Sequence, residues 1–455
     1  MATIGRAVPI GKTRRSSRIF RDMGMKVLLV GSGGREHALA WRLAASPLLE
    51  RLWIAPGNPG CAAHGETVPI AADDVAGLTA FAVRNGVDLC VPGPEAPLVA
   101  GLADALSERG IPTFGPSAAA AELEGSKAWC KELLAQHRIP TAAHRTFSRL
   151  SQAVGYLEHG ASFPCVVKAS GLAAGKGVVI CPDLPSAIEA TQAMLEGGRF
   201  GEAGTTVVIE EFLHGPEASF FCITDGRTLE MLEHCMDHKA LCDGGVGPNT
   251  GGMGAISPNP AVSERTRRLV ERHVLLPTVH AMNREGRPFR GVLFAGLKLT
   301  TGGPKVLEYN VRFGDPECQT LMPRLCSDLL PHLHAAAVGS LDEQEPLVWD
   351  ERPACTVVLA AAGYPESPRR GDPVSGLAEA EALEDVHVFH AGTRLDEEGR
   401  LVTAGGRVLA VTALGADAAA ARNRAYEAVS RIRFEGMQYR TDIGIAAVEG
   451  AVRHA

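Results

Sequence analysis

Residues 25–115 alternate between short apolar runs and longer stretches with helical spacing. The runs at 25–30, 52–55, 88–91 and 111–114 read as strands. The stretches 35–45, 75–85 and 96–109 read as helices. Apolar strands joined by helices are buried on both faces, which predicts a parallel, doubly wound sheet. Its binding crevice should lie on the loops after the strands, at 31–37, 56–60 and 92–97.

Beyond it, residues 116–145 look mostly helical. Strands are expected at 165–169 and 178–181 around a glycine-rich loop, then a helix at 186–195 and a strand at 206–212. Further strands fall at 219–224, 292–300 and 305–309, with a helix at 263–285. A Pro- and acid-rich stretch at 341–353 reads as a linker. After it come strands at 355–361, 387–391 and 408–414 and an amphipathic helix at 416–432. No internal repeat is visible.

Composition narrows the class. A chain of 455 residues is too long for one ordinary core, so two to four domains are expected. It is 45% hydrophobic and 21% charged, as globular chains are. A net charge of −7 argues against a general nucleic-acid or membrane-surface binder, and 5% aromatics argues against base-stacking platforms. A local basic pocket for a phosphorylated small molecule stays open. Eleven cysteines without a C-x-x-C pair suit a reducing compartment rather than a disulfide framework or zinc site. No run reaches the roughly 18 apolar residues of a membrane span. Residues 1–24 carry Arg6, Lys12, Arg14, Arg15, Arg18 and Arg21 against Asp22. They read as a disordered extension or a start codon placed upstream of Met25, with an organelle transit peptide as the other reading.

Five segments carry candidate chemistry. Gly31-Ser32-Gly33-Gly34-Arg35-Glu36-His37 follows a strand and opens a helix, where backbone N–H groups can meet an anion. A dinucleotide fingerprint would need glycine at Glu36, so a phosphate or phosphosugar fits better; a ligand-free tight turn is the plain alternative. Lys168-Ala169-Ser170-Gly171 through Gly175-Lys176-Gly177 resembles a Walker A loop but fails its spacing, and suggests a hairpin flap over nucleotide phosphates. Glu210-Glu211-Phe212-Leu213, with Glu217, ends a strand and could read an adenine edge and ribose hydroxyls, or be a solvated strand end. The loop 247–254 has four glycines in eight residues and invites close approach by a ligand, unless it is a plain surface loop. In Glu308-Tyr309-Asn310-Val311-Arg312, alternation puts Glu308, Asn310 and Arg312 on one face. A carboxylate and an amide oxygen there suit a hard cation that also touches phosphates, and Arg312 could neutralise developing phosphoryl charge. A solvent-facing polar strand is the alternative.

Taken in order, KVLLVGSGGREHALAW, GPEAPLV, FGPSAAAAELEGSKAWCK, KASGLAAGKGVV, VIEEFLHGPEASF, GPNTGGMGA and VLEYNVRFGDPECQ resemble the phosphoribosylamine–glycine ligase (glycinamide ribonucleotide synthetase) family of ATP-grasp enzymes. The C-terminal FHAGT and GGRVLAVTALG also fit. The resemblance runs from about Met25 to Gly444. It implies an N-terminal doubly wound α/β domain for phosphoribosylamine at 25–126 and a central ATP-grasp domain at 127–330 with a flap near 146–215; the basic leader at 1–24 has no counterpart in the family core. A linker at 331–353 and a small C-terminal mixed β/α domain at 354–446 complete it.

The resemblance further implies ATP as co-substrate, Mg²⁺ or Mn²⁺ as metal, and glycine and 5-phosphoribosylamine as substrates, in de novo purine synthesis in the cytoplasm. It implies no nucleic-acid or membrane partner and leaves room for transient contact with neighbouring enzymes of the pathway. Glu308 and Asn310 match the family's metal ligands. Lys127, Lys168, Gly171, Gly175, Lys176 and Gly177 would meet the ATP phosphates. Glu210, Glu211, Leu213 and Glu217 would frame adenine and ribose. Gly33, Gly34, Gly93, Pro94 and Glu95 fall where phosphoribosylamine should sit. Asp237, Lys239, Asn249, Thr250, Gly251, Gly252 and Gly314 would border the reacting groups, with Arg312 and Asp315 as catalytic residues. The chain departs from the family at Ala240, where a basic residue is usual, and at Asp243-Gly244-Gly245, where an acid is common. The strand at 292–300 lacks the acidic metal ligand found in many ATP-grasp enzymes. Other ATP-grasp ligases, a nicotinamide-dependent dehydrogenase and a non-catalytic nucleotide sensor are the competing readings.

Overall fold

The computed structural model describes residues 24–172, 177–197 and 201–454. Residues 1–23 of the basic leader, and Gly175 and Lys176 of the flap, lie outside them.

The first apolar runs form a four-stranded parallel sheet in the order Glu66–Thr67, Leu49–Pro56, Met25–Gly31, Leu89–Pro92. Alternate residues feed two cores: Leu28 and Val30 pack with Leu78 and Phe81, while Val27 and Leu29 pack with Leu39 and Leu43. Such a two-sided strand reads as a continuous apolar run because helices cover both faces. The run expected as a strand at 111–114 contributes a single bridge, Cys90 to Thr113. The helix expected at 96–109 is broken into Glu95–Val99 and Leu102–Ser107.

Two antiparallel sheets follow. One has the order His144–Phe147, Val207–Glu211, Cys165–Ala169, Val178–Cys181. The other has the order Leu229–Met231, Glu217–Thr224, Gly291–Thr300, Gly303–Asn310. The helix Lys127–Gln136 is capped by Ser126, whose side chain accepts from the Trp129 N–H. Its first turn also docks on the flap strand: the Ser170 carbonyl accepts from the Lys127 N–H at 2.7 Å and the Ser170 hydroxyl from the Ala128 N–H at 3.0 Å. These bonds join the two elements and place Lys127 near Lys168.

A five-stranded sheet runs Met236–Asp237, Gly254–Ser257, Ala354–Ala360, Arg407–Leu414, Val386–His390. Its first two strands come from the central part of the chain, so the C-terminal unit expected at 354–446 is continuous with it through backbone hydrogen bonds. The helix Ala418–Val429, capped by Asp417, covers one face of this sheet. The linker expected at 331–353 is corrected. It holds most of the helix Leu330–Val338, and Leu333, Leu341 and Leu347 join the largest core. Arg324 ties its end down by donating to the carbonyls of Asp350 and Arg352. Apolar residues among the acids are what keep this segment on the body. No helix among the described residues is long and apolar enough to cross a membrane.

Candidate active site

The two antiparallel sheets line one cleft of about 850 Å³, to which the N- and C-terminal parts also contribute. On the strand Gly303–Asn310, Tyr309 turns into the core and shares a 2.5 Å hydrogen bond with Thr278, so Glu308 and Asn310 turn into the cleft. Gly296 stands opposite Glu308 and Phe294 opposite Asn310, so the preceding strand adds no carboxylate. Glu308 lies 3.4 Å from Lys239. That ammonium, with Lys168 and Lys127 behind it, overrides burial and holds the Glu308 carboxyl at a pKa of about 2. Among the described residues no three His, Cys, Asp or Glu side chains gather as a metal cluster. An ionised carboxylate and an amide oxygen facing lysine-lined space fit a hard cation that takes its other ligands from phosphates and water.

Glu210 lines the cleft, and its carboxylate is already paired there. Its carboxylate is buried between two lysines, 3.1 Å from Lys131 and 3.1 Å from Lys168. Lys168 also donates to the Leu307 carbonyl at 3.1 Å, and Lys131 to the Thr141 hydroxyl at 2.7 Å. Alternation turns Glu210 toward these lysines, and its side chain anchors Lys168 in the cleft wall. Glu211 points the other way, toward Lys305 at 2.8 Å and the Ala143 N–H. Leu213 and Gly177 line the cleft; Gly171 does not, but its carbonyl accepts from Lys127 at 3.1 Å. Burial lowers the Lys127 pKa. Glu217 takes Lys298 at 3.2 Å and Lys239 at 3.7 Å.

Arg312 is clamped rather than free. It donates to Glu95 at 3.0 Å and to Glu124 at 3.0 Å, and Glu124 also accepts from the Val311 N–H. Burial pushes the Glu124 carboxyl up to about 7, against the pull of Arg312. Asp315 accepts from Gln319 at 2.6 Å and lies 3.3 Å from Arg407. Arg407 reaches in from the C-terminal sheet and donates to the carbonyls of Gly251 at 2.7 Å and Asp315 at 2.6 Å. The Tyr364 hydroxyl accepts from the Gly251 N–H at 3.2 Å. Asn249 and Thr250 line the cleft beside them. Ala240 and Gly245, the departures from the family pattern, are also in its wall. Their loop is held from behind: Arg440 donates to the Ala240 carbonyl at 3.1 Å, and the Gly244 N–H donates to Asp442 at 2.8 Å.

The glycine-rich turn after the first strand is not an empty anion cradle. The Gly33 N–H donates to Glu36 at 2.6 Å, and Arg35 donates to the same carboxylate at 2.6 Å. A side chain at Gly93 would collide with it. The Glu36 carboxylate thus takes up one N–H of this turn, from the position where a dinucleotide fingerprint has glycine. Pro94 and Glu95 line the large cleft; Gly33, Gly34 and Gly93 stand behind its wall, with Gly33 facing Asp315.

Sequence reasoning missed Lys131, Glu124, Lys298, Arg407, Tyr364 and Arg440. Lys131 sits four residues after Lys127 on the same helix face, which was a usable signal. Arg407, Tyr364 and Arg440 arrive from more than fifty residues away and carry no local sign.

Two antiparallel sheets closing on a cleft with buried lysines and an acidic-amide strand define an ATP-grasp ligase. Residues 25–124, 125–318 and 354–446 match, in turn, the N, ATP-grasp (A) and C domains of phosphoribosylglycinamide synthetase. Phosphoribosylamine--glycine ligases of Brucella melitensis and Caulobacter vibrioides are each 53% identical over 425 residues, covering 93% of this chain and 99% of theirs. The crystal structure of the Thermotoga maritima phosphoribosylamine--glycine ligase superposes with a TM-score of 0.81 at 33% identity, covering 92% of this chain and 100% of that one. A biotin carboxylase domain from Hydrogenobacter thermophilus superposes at TM-score 0.70 with 17% identity, over 92% of each chain, and shares the fold. The chain belongs to the phosphoribosylglycinamide synthetase family, and it is an enzyme that forms carbon–nitrogen bonds.

Proposed function

We propose that the enzyme joins glycine to 5-phosphoribosylamine at the expense of ATP, giving glycinamide ribonucleotide, ADP and phosphate in de novo purine synthesis. The observation that carries this reading is the convergence of Lys127, Lys168, Lys239, Glu308 and Asn310 on one cleft in a chain of this family. A glycine carboxylate oxygen attacks the γ-phosphorus, the bond to ADP breaks, and glycyl phosphate forms. The amine nitrogen then attacks the acyl carbon, the bond to phosphate breaks, and the nitrogen loses a proton. Positioning and charge compensation supply most of the rate, because the acyl phosphate is already reactive.

Lys127 and Lys168 hold the phosphates, Lys168 from the fixed post that Glu210 provides. A Mg²⁺ or Mn²⁺ ion held by Glu308 and Asn310 neutralises phosphate charge when bound. The backbone from Glu211 to Leu213 reads the adenine edge, Glu217 lies on the ribose side, and Gly171 and Gly177 close the flap. Arg312, oriented by Glu95 and Glu124, presents a cation of fixed direction to the transferring group. Asp315 and Arg407 orient the loop Asn249–Gly252 around the acyl centre. Phosphoribosylamine enters along Pro94 and Glu95, with the Gly33–Gly34–Gly93 wall setting the depth of that side. Residues 25–126 thus supply the amine side, 127–330 the nucleotide side and 354–446 the cover. The substrates are small molecules, and free cysteines with bacterial relatives support a cytoplasmic setting.

A phosphate-release assay over a panel of acids and amines tests this. Release that requires ATP, glycine, metal and phosphoribosylamine together is expected. Release with another acid–amine pair and none with glycine would overturn it.

A further inference from the structure

One corner of the cleft is short of positive partners. The Ser219–Cys235 bridge brings the strands Glu217–Thr224 and Met236–Asp237 together, and Ser219 Oγ donates to Glu317 at 3.2 Å. Asp237 and Glu317 both line the cleft. Asp237 Oδ1 is buried and has no hydrogen-bond partner. Glu317 is 3% exposed. Burial raises both carboxyl pKa values, and the Glu317 charge pushes Asp237 up further.

The neighbouring cations act on these carboxylates only from a distance, and their direct partners are others. Lys239 is divided between Glu308 at 3.4 Å and Glu217 at 3.7 Å. Arg407 is directed to the carbonyls of Gly251 and Asp315. Two neighbouring buried carboxylates, of which only Glu317 has a hydroxyl donor, are costly unless a cation with several donors joins them. No third His, Cys, Asp or Glu among the described residues makes this a metal cluster.

Two glycines close the corner. At Gly252, φ is +115°, and a Cβ there would stand 2.9 Å from Asp237 Oδ1 and 2.5 Å from Pro316 Cδ. A Cβ at Gly314 would collide with the Glu317 carboxylate. The backbone is thus packed against both carboxylates, and a side chain at either glycine would run into them.

Resting on the ligase reading above, the geometry points to Asp237 and Glu317 as the receptor for the α-ammonium group of the amino-acid substrate, with Gly252 and Gly314 closing the space a larger substrate would need. The ammonium's three N–H donors satisfy Asp237 Oδ1 and the open lone pairs of Glu317. The carboxylate of the same molecule then faces Lys239 and the Glu308–Asn310 strand. Preference for the smallest amino acid follows from the packing of this corner, not from recognition of a side chain.

The test uses the full-length enzyme and its Asp237→Asn and Glu317→Gln variants in glycine- and ATP-dependence of phosphate release. Each variant should raise the KM for glycine about 10- to 100-fold, as loss of a charged hydrogen bond implies, with the KM for ATP within about twofold. The melting temperature of the free protein should hold or rise, because a buried like charge is removed; a purely structural role would lower it. Calorimetric titration with a magnesium–nonhydrolysable ATP analogue present provides a second reading on the wild type. Glycine should bind and N,N,N-trimethylglycine, which has no N–H, should not. An unchanged glycine KM in both variants, binding of the trimethyl compound as tight as glycine, or loss of a bound Mn²⁺ with glycine KM intact would each overturn the assignment. Absence of any glycine-dependent turnover by the wild type would overturn the ligase reading and the receptor with it; normal wild-type turnover with unaffected variants overturns the receptor alone.

Discussion

Replacing Glu210 by Gln separates a structural anchor from a ribose ligand. The carboxylate lies 3.1 Å from Lys131 and 3.1 Å from Lys168, and all three side chains are buried. At an effective dielectric of 20, each contact is worth roughly 5 kcal/mol before desolvation and lysine–lysine repulsion are subtracted. Breaking such a buried arrangement from one side typically costs about 3–5 kcal/mol, because it strands unpaired charge. Lys131, whose pKa burial already lowers, is the group that would shed its proton to limit the damage. For a domain of this size that loss corresponds to a melting temperature about 6–15 °C lower. Thermal unfolding of Glu210→Gln, and of Lys131→Met with Glu210→Gln, reads it directly. The double variant should recover part of the loss, since one of the two stranded charges is gone while Lys168 remains. A melting temperature within about 2 °C of wild type, together with a tenfold higher KM for ATP, would refute the anchor and return Glu210 to the ribose.

Glu308→Ala should cut kcat by about 100-fold or more while the protein stays folded, measured by phosphate release across a magnesium titration; unchanged turnover would remove Glu308 from the site. Glu124 has its carboxyl at about 7, so between roughly pH 4.5 and 7 the folded state keeps a proton that the unfolded state has lost. Wild type therefore loses stability as pH rises through that window, by up to about 3 kcal/mol, and Glu124→Gln should gain on it between pH 5 and 8 in unfolding midpoints. Arg407→Met should lower kcat/KM for glycine about tenfold or more through the loosened Gly251 and Asp315 carbonyls, with the KM for ATP little changed.

The parallel sheet was legible in the sequence because strands buried on both faces leave unbroken apolar runs. Glu308 and Asn310 were legible because period-2 alternation alone sorts them from Tyr309. The pairing of Glu210 was not legible, because only the third dimension supplies Lys131 behind the strand. Arg312 was legible as a cation on the Glu308 face, but not its clamp. Its two acidic partners come from residues 95 and 124, too distant in sequence for any pattern to join them. In the turn Gly31 to Gly34, the hold of Glu36 on the Gly33 N–H is likewise visible only in the structure. The segment at 331–353 looked like a linker from its prolines and acids, yet a few buried leucines are enough to fasten it.

The central claim, ligation through a glycyl phosphate in this cleft, is tested most directly by isotope transfer. Glycine carrying ¹⁸O in both carboxylate oxygens is supplied with ATP, magnesium and phosphoribosylamine, and the released phosphate is analysed by mass spectrometry. The account predicts one ¹⁸O atom in each phosphate, donated when the carboxylate oxygen bonded to phosphorus. Phosphate released in step with amide but free of ¹⁸O would contradict it.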